Sequence, residues 1–590
     1  MRLPAPRFRP RAGGGAAGRT MTSEQQAVLA PASPDEAPRG PGAAPRGPGE
    51  APRGPGEPPP VRAARRRWLL PLVVALLLGQ MAVAMVTTAV QQTPTIDEPV
   101  YVGTAAVYLR EHSLRLNPEH PPLGKLVIAA GVALARPHVD TSFRGDQGRV
   151  GRHLLYESGN DPGRLLLWAR LPVIVLTLLC GLVVFAFARE LAGPTGGLLA
   201  LALYAFSPDV IAHGSLATLD APTAGFLLTS AWLLWRARVR PRRCLPLAGA
   251  ALGAALATKM SALPAVPVLL ALAALSVLHR RPRDWRRAVV GAGVVAVAAV
   301  AVVWAAYLAV DPRLRWAPPQ PAPAVHGLRA LLVRVLPFPE AYRDGLRIQF
   351  AFEDRPWQGF LFGRLYTGAL WYYLPAALLV KTPLGMLALW AAGALALCAV
   401  RRLRPAAPYL LAPALVLLVA AMQGARDFGT RYALFVPVFG AVAAGCAVLL
   451  RGRWTPVVAG ALAVWVAVSS VRTFPYYLPY SNEAFGGPAR THLRLHDSNV
   501  DWGQDLGRLA DRLRERYPGE RVWLVYKGSG VPSAYGIHAA DPRAVPPGRV
   551  RGLLVVSDSA AAKARGRLAG LLADARAVDD VGHSITIYRR

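Results

Sequence analysis

Long apolar runs separated by short polar turns dominate the chain from residue 68 onward. The first run, WLLPLVVALLLGQMAVAMVTTAV, is long enough to cross a bilayer as a single helix. Further spans are predicted near 166–188, 195–211, 218–235, 245–258, 262–278, 288–310, 384–400, 408–422, 432–450 and 454–471. The pattern therefore predicts an all-α polytopic membrane protein with about 11 transmembrane helices.

Basic residues set the predicted orientation of these spans. RAARRR at 62–67 precedes the first run and places its N-terminus in the cytoplasm, because Lys and Arg are retained on that side. The connections assigned to the inside carry arginines, whereas the outer turn at 212–217 carries none. A cleavable signal ending near Ala82-Val83-Ala84 is an alternative for the first run, and it would also leave the chain after Val90 outside.

Composition divides the chain into three predicted parts. Residues 1–67 are rich in Pro, Gly and Arg, repeat APRGPG and are predicted to be a disordered cytoplasmic tail. Residues 68–471 form the membrane domain, whose outer loops are 91–165 and 311–383. Residues 472–590 alternate strand and helix patterns, which predicts a small extracytoplasmic α/β domain. Its predicted elements are helices at 503–516 and 559–574 and strands at 521–526, 552–557 and 584–589.

The distribution of charge excludes nucleic-acid binding, and the spacing of the cysteines excludes a zinc site and a disulfide framework. The formal net charge of +32 comes from arginines in the tail and in short loops, without the aromatic-interleaved basic face that binds nucleic acid. Nucleic acid is therefore excluded as a partner. The cysteine spacing matches neither a zinc site nor a disulfide framework, and no metal ligands are assigned. The cysteines are Cys180, Cys244, Cys398 and Cys446.

The first outer loop carries an unusual set of ionisable residues. Asp97 and Glu98 follow the first span closely, where a carboxylate held in a partly dry site can act as a general base. The alternative is a pair of acids at the start of a helix beginning at Pro99. HPPLGK at 120–125 predicts the start of an interfacial helix, where Lys125 and free N–H groups would meet an anionic head group. Alternatively, Lys125 extends to water.

Other outer turns add candidates. Asp220 begins the fourth span, where it is either a site residue or a helix cap. GARDFGTRY at 424–432 offers Arg426 and Arg431 as phosphate ligands. DSNVDWGQD at 497–505 could bind a sugar or a cation, or form a turn and helix cap. Only five of the 67 basic residues are lysines, and three of the five lie at predicted outer ends of membrane segments, where a compact ammonium suits phosphate.

The absence of several motifs limits the class of sugar donor that the protein can use. The sequence contains no P-loop, no GxGxxG after a strand, no HExxH and no Asp-x-Asp pair of the kind that holds a metal-bound nucleotide sugar. A soluble nucleotide donor is therefore disfavoured. A membrane-resident donor carrying a phosphate suits carboxylates and cations gathered at the outer interface.

These motifs resemble a known family. The acids in the first outer loop, HPPLGK and the TLD turn before the fourth span are similar to polyprenyl-phosphate sugar transferases of glycosyltransferase family 39, which includes the protein O-mannosyltransferases. YYLPAALLVKTPL (372–384), FPYYLPYSNEAFGG (474–487) and DSNVDWGQDL (497–506) resemble stretches of bacterial members. The resemblance implies a C-type glycosyltransferase fold with a site on the outer face of a bacterial inner membrane.

The resemblance also implies roles for residues. Asp97 is the expected general base, with Glu98 beside it and Asp220 as the second acid. His120 and Lys125 are expected at the donor phosphate. Lys259 and Arg431 are further candidate phosphate ligands, because both are expected to lie near that phosphate.

The implied reaction moves a mannose-like hexose or a pentose from a polyprenyl-phosphate donor to an acceptor hydroxyl with inversion. The acceptor is a protein, an envelope glycan or a lipid, and loop 311–383 is too short for the luminal insert of eukaryotic members. No cofactor is certain, and a divalent cation at the phosphate stays open. A transporter or flippase of a lipid-linked or anionic substrate is the main alternative, followed by an inactive envelope scaffold.

Overall fold

A computed structural model describes residues 61–280, 282–317 and 321–590. The tail at 1–67 is predicted to be disordered, and residues 1–60 of it lie outside the described residues. The first helix begins at Val61, within the predicted tail, and continues through the first apolar run to Gln91.

Helices make up most of the chain before residue 474. They are α1 (Val61–Gln91), α2 (Glu98–Glu111), α3 (Pro122–Ala135), α4 (Gln147–Tyr156), α5 (Pro162–Ala205), α6 (Pro208–Gly214), α7 (Asp220–Ala237), α8 (Pro241–Thr258), α9 (Ala265–Arg280), α10 (Trp285–Val310), α11 (Gly327–Val335), α12 (Glu340–Glu353), α13 (Tyr373–Lys381), α14 (Leu384–Ala399), α15 (Ala407–Ala421), α16 (Phe435–Gly445) and α17 (Thr455–Thr473). An antiparallel hairpin of β1 (Gln358–Leu361) and β2 (Arg364–Thr367) lies between α12 and α13.

The architecture confirms a helical, multi-pass membrane protein, but not the count of eleven spans. Within the described ranges, five helices are long and apolar enough to cross a membrane, or six if the bent pair α13–α14 forms one span. The five are Trp68–Gln91, Pro162–Ala205, Trp285–Val310, Arg404–Ala421 and Thr455–Thr473. Several other predicted spans, among them 262–278 and 432–450, coincide with apolar helices shorter than 18 residues.

Two predicted spans, 166–188 and 195–211, overlap the long element α5. It is broken at Gly193, whose φ of 75° is readily adopted only by glycine, and Pro194 follows directly. The break separates two apolar segments, as the sequence pattern predicts. A second bend of 117° separates α13 from α14, so α13 does not continue straight into the helix that follows it.

Glycines let the helices of the first outer loop pack closely. A Cβ at Gly131 of α3 would lie 1.9 Å from the carbonyl oxygen of Trp168 in α5. A Cβ at Gly151 of α4 would lie 1.9 Å from the carbonyl oxygen of Pro99 in α2. Both distances are far below contact, so the backbones meet directly. The loop is thus a packed bundle that holds the start of α2 in place.

The C-terminal region is the predicted α/β unit. It contains α18 (Leu506–Arg516), β3 (Val522–Val525), β4 (Ala539–Ala540), β5 (Leu553–Ser557), α19 (Asp558–Ala562), α20 (Gly566–Ala573), β6 (Arg576–Val581) and β7 (Ile585–Arg589). The sheet order is β4-β3-β5-β7-β6, with β3 parallel to β4 and β5 and the other pairs antiparallel. The predicted helix at 559–574 is two short helices. Strands β4 and β6 were not predicted, because β4 has two residues and β6 is a largely exposed edge strand with RAVDDV in place of apolar alternation.

Two buried carboxyl groups lie at the base of this unit. Burial raises the pKa of Asp501 to about 7 and that of Asp558 to about 7. Asp558 Oδ1 accepts a hydrogen bond of 2.7 Å from the Thr586 hydroxyl, while Oδ2 has no hydrogen-bond partner among the described residues. Ionisation of either group in the folded chain therefore costs free energy.

The stability of the protein should reflect this cost. Between its ordinary pKa of 3.8 and the folded value of about 7, Asp558 is ionised in the unfolded chain and protonated in the folded one. The wild type should therefore lose stability relative to Asp558→Asn as pH rises from about 4 to about 7, with a constant difference above that range. Thermal unfolding of the purified protein across this range measures the difference. Asp511→Asn, at a side chain 62% exposed in α18, is the control, and a wild type whose curve runs parallel to Asp558→Asn contradicts the account.

Candidate active site

A cavity of about 850 Å³ lies among the first outer loop, the helices behind it and the turn before α16. Its polar lining includes Asp97, Tyr101, Asn117, Glu119, His120, Gln147, Asp220, Lys259, Arg426, Arg431 and Tyr432. Its apolar lining includes Leu227, Leu263, Val266, Leu332, Leu336, Leu346, Phe350, Leu417, Leu434 and Phe435. The cavity thus combines charged groups with an extended apolar wall contributed by α7, α9, α11, α12, α15 and α16.

Asp97 is held by a charge from a distant part of the chain. It occupies the N-cap position of α2, and its Oδ2 accepts a 2.6 Å hydrogen bond from Nη1 of Arg431. Arg431 also donates from Nη2 to the Tyr432 hydroxyl at 3.2 Å. Its Nε has no hydrogen-bond partner in the described part of the chain.

A second ion pair lines the same cavity. Asp220, the first residue of α7, accepts a 2.5 Å hydrogen bond from Lys259 Nζ, at the end of α8. The ring of Tyr432 connects the two pairs, because Lys259 Nζ lies 5.0 Å and the Arg431 guanidinium 4.9 Å from its centroid. We call Asp97, Arg431, Tyr432, Lys259 and Asp220 the ion-pair cluster. Each acid in it is matched by one cation, as buried charges require.

His120 lines the cavity next to this cluster. Burial, and then the charge of Lys259, lower the pKa of His120 well below its usual range. The imidazole is therefore neutral, and it can exchange hydrogen bonds with a ligand but supplies no charge to a phosphate.

Lys125 has a different environment from the one predicted for it. Its side chain is fully buried, and Nζ donates to the carbonyl oxygens of Asn117 and His120 at 2.7 Å each. It is absent from the described lining of the cavity. Lys125 thus fixes the loop that presents Asn117 and His120, and the cations that face the cavity next to Asp97 and Asp220 are Arg431 and Lys259.

Glu98 also lies behind the cavity. Its carboxylate accepts two hydrogen bonds of 2.7 Å from Arg170 of α5 and one of 2.8 Å from the Ala217 amide. Burial opposes ionisation, but Arg170 and the Thr95 and Ala217 amides lower the pKa of Glu98 below its usual range. Glu98 is thus a buried anion that ties α2 to α5 and to the turn before α7, while its neighbour Asp97 faces the cavity.

The cavity also contains polar residues that were not predicted as site residues. Glu119 Oε1 accepts a 2.7 Å hydrogen bond from Gln147 Nε2, and Gln349 Nε2 donates 2.8 Å to the Glu119 carbonyl oxygen. Arg426, which sequence analysis offered as a phosphate ligand, is paired with Glu353 of α12 at 3.0 Å. Glu119 directly precedes the HPPLGK motif, and that position was the only signal available for it. No sequence signal indicated that Gln147 of α4 and Gln349 of α12 contribute to the cavity.

The segment DSNVDWGQD packs against the site as a structural element. Asp497 is paired with Lys527, which lowers the pKa of Asp497 to about 2 against the opposing effect of burial. Asn499 Oδ1 accepts a 3.1 Å hydrogen bond from the amide of Thr430, the residue before Arg431. Among the described residues, no group of three or more His, Cys, Asp or Glu side chains is arranged to hold a metal ion.

Residues 74–312 match the family model of dolichyl-phosphate-mannose-protein mannosyltransferases (PMT). Over these residues the chain is similar to that family of membrane glycosyltransferases. The match covers less than half of the 590 residues, but it includes Asp97, His120, Asp220 and Lys259. It confirms the resemblance predicted from the sequence motifs. No curated protein sequence matches the chain at a significant level.

Several solved structures of membrane transferases are similar to this chain at low sequence identity. ArnT from Cupriavidus metallidurans in the apo state is 16% identical, covers 89% of this chain and 98% of its own, and has a TM-score of 0.45. The Pmt1-Pmt2 protein O-mannosyltransferase complex of S. cerevisiae bound to its sugar donor is 19% identical over 41% of this chain and 33% of that chain, with a TM-score of 0.31. The oligosaccharyltransferase AglB from Archaeoglobus fulgidus is 12% identical over 77% and 59%, with a TM-score of 0.41. Because all three TM-scores are below 0.5, the similarity to the PMT family rests on the family match alone.

The environment of Glu98 predicts the effect of changing it. Glu98→Gln would leave the Arg170 guanidinium buried without its counter-charge, which costs about 3–5 kcal/mol of unfolding free energy. Asp541→Asn, which breaks an exposed pair with Arg543 at 2.9 Å, should cost about 0–1 kcal/mol. Thermal unfolding in detergent compares the two variants. A Glu98→Gln protein that is as stable as the wild type but inactive would instead make Glu98 a reacting group.

Proposed function

We propose that this protein transfers a sugar from a polyprenyl-phosphate donor to an acceptor hydroxyl at the outer face of a bacterial inner membrane, with inversion at the anomeric carbon. The observation that carries the proposal is the ion-pair cluster inside a cavity with an apolar wall. Asp97, Asp220 and Lys259 of that cluster lie within the PMT-matching region. An amphiphile with an anionic head and a hydrocarbon chain satisfies both parts of that lining. The N-terminus of α1 is then cytoplasmic, and the C-terminal unit is extracytoplasmic.

The phosphate of the donor is assigned to Arg431 and Lys259. Among the described residues Nε of Arg431 has no hydrogen-bond partner, and both cations lie within the cavity lining. A phosphate that replaces Asp97 and Asp220 as their partner gains charge-assisted hydrogen bonds. The same exchange would release the Asp97 carboxylate, which is needed as a free base. His120 and Lys125 support this phosphate site through the 117–120 loop.

Asp97 is the proposed general base. It accepts the proton of the acceptor hydroxyl as that oxygen forms a bond to the anomeric carbon from the face opposite the phosphate. The bond between the anomeric carbon and the phosphate oxygen breaks, and its electron pair remains on the polyprenyl phosphate. Arg431 and Lys259 stabilise this developing negative charge. One displacement of this kind inverts the anomeric configuration.

The sugar and the acceptor are assigned by class. Glu119, Gln147 and the neutral His120 offer hydrogen-bonding groups suited to the hydroxyls of a mannose-like hexose or a pentose. The acceptor is a protein, an envelope glycan or a lipid. Lys259 and Arg431 supply the charge that the phosphate needs, and a divalent cation bound with the phosphate is the alternative source, which loss of activity in EDTA would reveal.

Removal of the proposed base tests the reaction. In membranes given a panel of polyprenyl-phosphate sugars, the wild type should release free polyprenyl phosphate from one donor, and that donor identifies the sugar. Asp97→Asn should lower the rate by about 10²- to 10⁴-fold at equal expression, because the variant cannot take the proton.

Glu157→Gln is the matched control, since that acid belongs to the same outer loop but is 57% exposed and lies outside the cavity lining. It should release polyprenyl phosphate at the wild-type rate. Equal release by Asp97→Asn and the wild type would remove Asp97 from the mechanism. Movement of the lipid without release from any donor would favour a transporter.

A further inference from the structure

The start of the C-terminal unit is bonded directly to the chain segment that carries Asp97. The Ile96 amide donates to the carbonyl oxygen of Trp502 at 2.9 Å, and the Thr93 amide donates to that of Gln504 at 2.9 Å. The Thr93 hydroxyl donates to the Gly503 carbonyl oxygen at 3.2 Å. These bonds hold the residue before Asp97 against Trp502.

The side chain of Trp502 reaches the other partner of the same ion pair. The residue is 1% exposed, and the guanidinium carbon of Arg431 lies 4.3 Å from the ring centroid. The His213 ring packs edge-on to it with centroids 6.0 Å apart. The backbone of Trp502 is fixed in turn, because its amide donates to Gln504 Oε1 at 2.8 Å.

This arrangement suits an arginine that binds an anion. A guanidinium stacked on an aromatic ring is held through its face, so the N–H groups along its edge remain available to in-plane acceptors. In Arg431 those edge groups contact Asp97 through Nη1 and the Tyr432 hydroxyl through Nη2, while Nε has no partner among the described residues. Trp502 therefore fixes the position of the cation without occupying its anion-binding edge.

We infer that Trp502 is a positioning residue of the transfer site: its carbonyl oxygen anchors the base-bearing segment and its ring orients Arg431 toward the donor phosphate. The inference rests on the proposed function. It makes the segment after the last membrane helix part of the active site, although Trp502 itself lies outside the described lining of the cavity.

The chain offers a close control for the ring. Trp523 of β3 is also 1% exposed and has the guanidinium carbon of Arg521 4.4 Å from its centroid, but it belongs to the core of the C-terminal unit. Trp502→Leu and Trp523→Leu therefore remove equally buried rings with equal stacking. Trp502→Phe retains an aromatic face, so it still tests the role of the ring if the leucine variant misfolds.

The experiment measures two quantities on the full-length protein in lipid nanodiscs: the affinity for a polyprenyl phosphate, and kcat and KM for release from the polyprenyl-phosphate sugar. Trp502→Leu should weaken polyprenyl phosphate binding and lower kcat/KM by about 3- to 30-fold. Trp502→Phe should recover most of both, and Trp523→Leu should match the wild type. Once Arg431→Gln is present, Trp502→Leu should add no further loss.

The outcomes separate the two proposals. If the wild type binds polyprenyl phosphate but Trp502→Leu binds it and reacts as well as Trp523→Leu does, the positioning role is overturned and the proposed function is left standing. Losses from Arg431→Gln and Trp502→Leu that multiply would also overturn it, because the two residues would then act independently. A wild type that binds no polyprenyl phosphate would overturn the proposed function and, with it, the role of Trp502.

Discussion

The contact between Arg431 and Asp97 is the interaction on which the rest of the site depends. It joins residues 334 positions apart, and one of them, Arg431, is almost enclosed by protein. A buried guanidinium is stable only if its charge is matched and its geometry is held. The surrounding structure provides both: Tyr432 and Trp502 lie against Arg431, and hydrogen bonds from Thr93 and Ile96 hold the segment that leads to Asp97.

Under the proposed function, charge pairing in the cavity also explains how a site for an anionic lipid can exist within a membrane protein. Two unpaired cations there would cost several kcal/mol each in desolvation. Asp97 and Asp220 offset that cost, and in the proposed reaction the donor phosphate takes their place. Because the acid released from Arg431 is the proposed base, arrival of the donor and activation of the base become one event. Glu98 and Arg170 form a neighbouring pair with no such exchange, since both are fully enclosed and tie three elements together.

Sequence analysis located the charged loop but could not assign every residue in it. The apolar periods predicted α1, α10 and α17 closely, and Asp97, singled out by its position after the first span, lines the cavity. The partner of Glu98 could not be predicted, because Arg170 lies 72 residues away in an apolar run and leaves no periodic signal. Lys125, predicted to meet a phosphate, was not recognised as the residue that fixes the 117–120 loop, because its partners are backbone carbonyl oxygens and leave no signal in the side-chain pattern. The strand β6 was missed because its side chains are mostly exposed, and spans such as α9 and α16 were predicted longer than the helices that form.

The most direct test of the account is a structure determined with a polyprenyl phosphate bound. The account predicts the phosphate inside the cavity, with its oxygens about 2.7–2.9 Å from Arg431 and Lys259, its chain along the apolar wall and the Asp97 carboxylate no longer bonded to Arg431. A phosphate bound outside the cavity, with Arg431 still paired to Asp97, would contradict it.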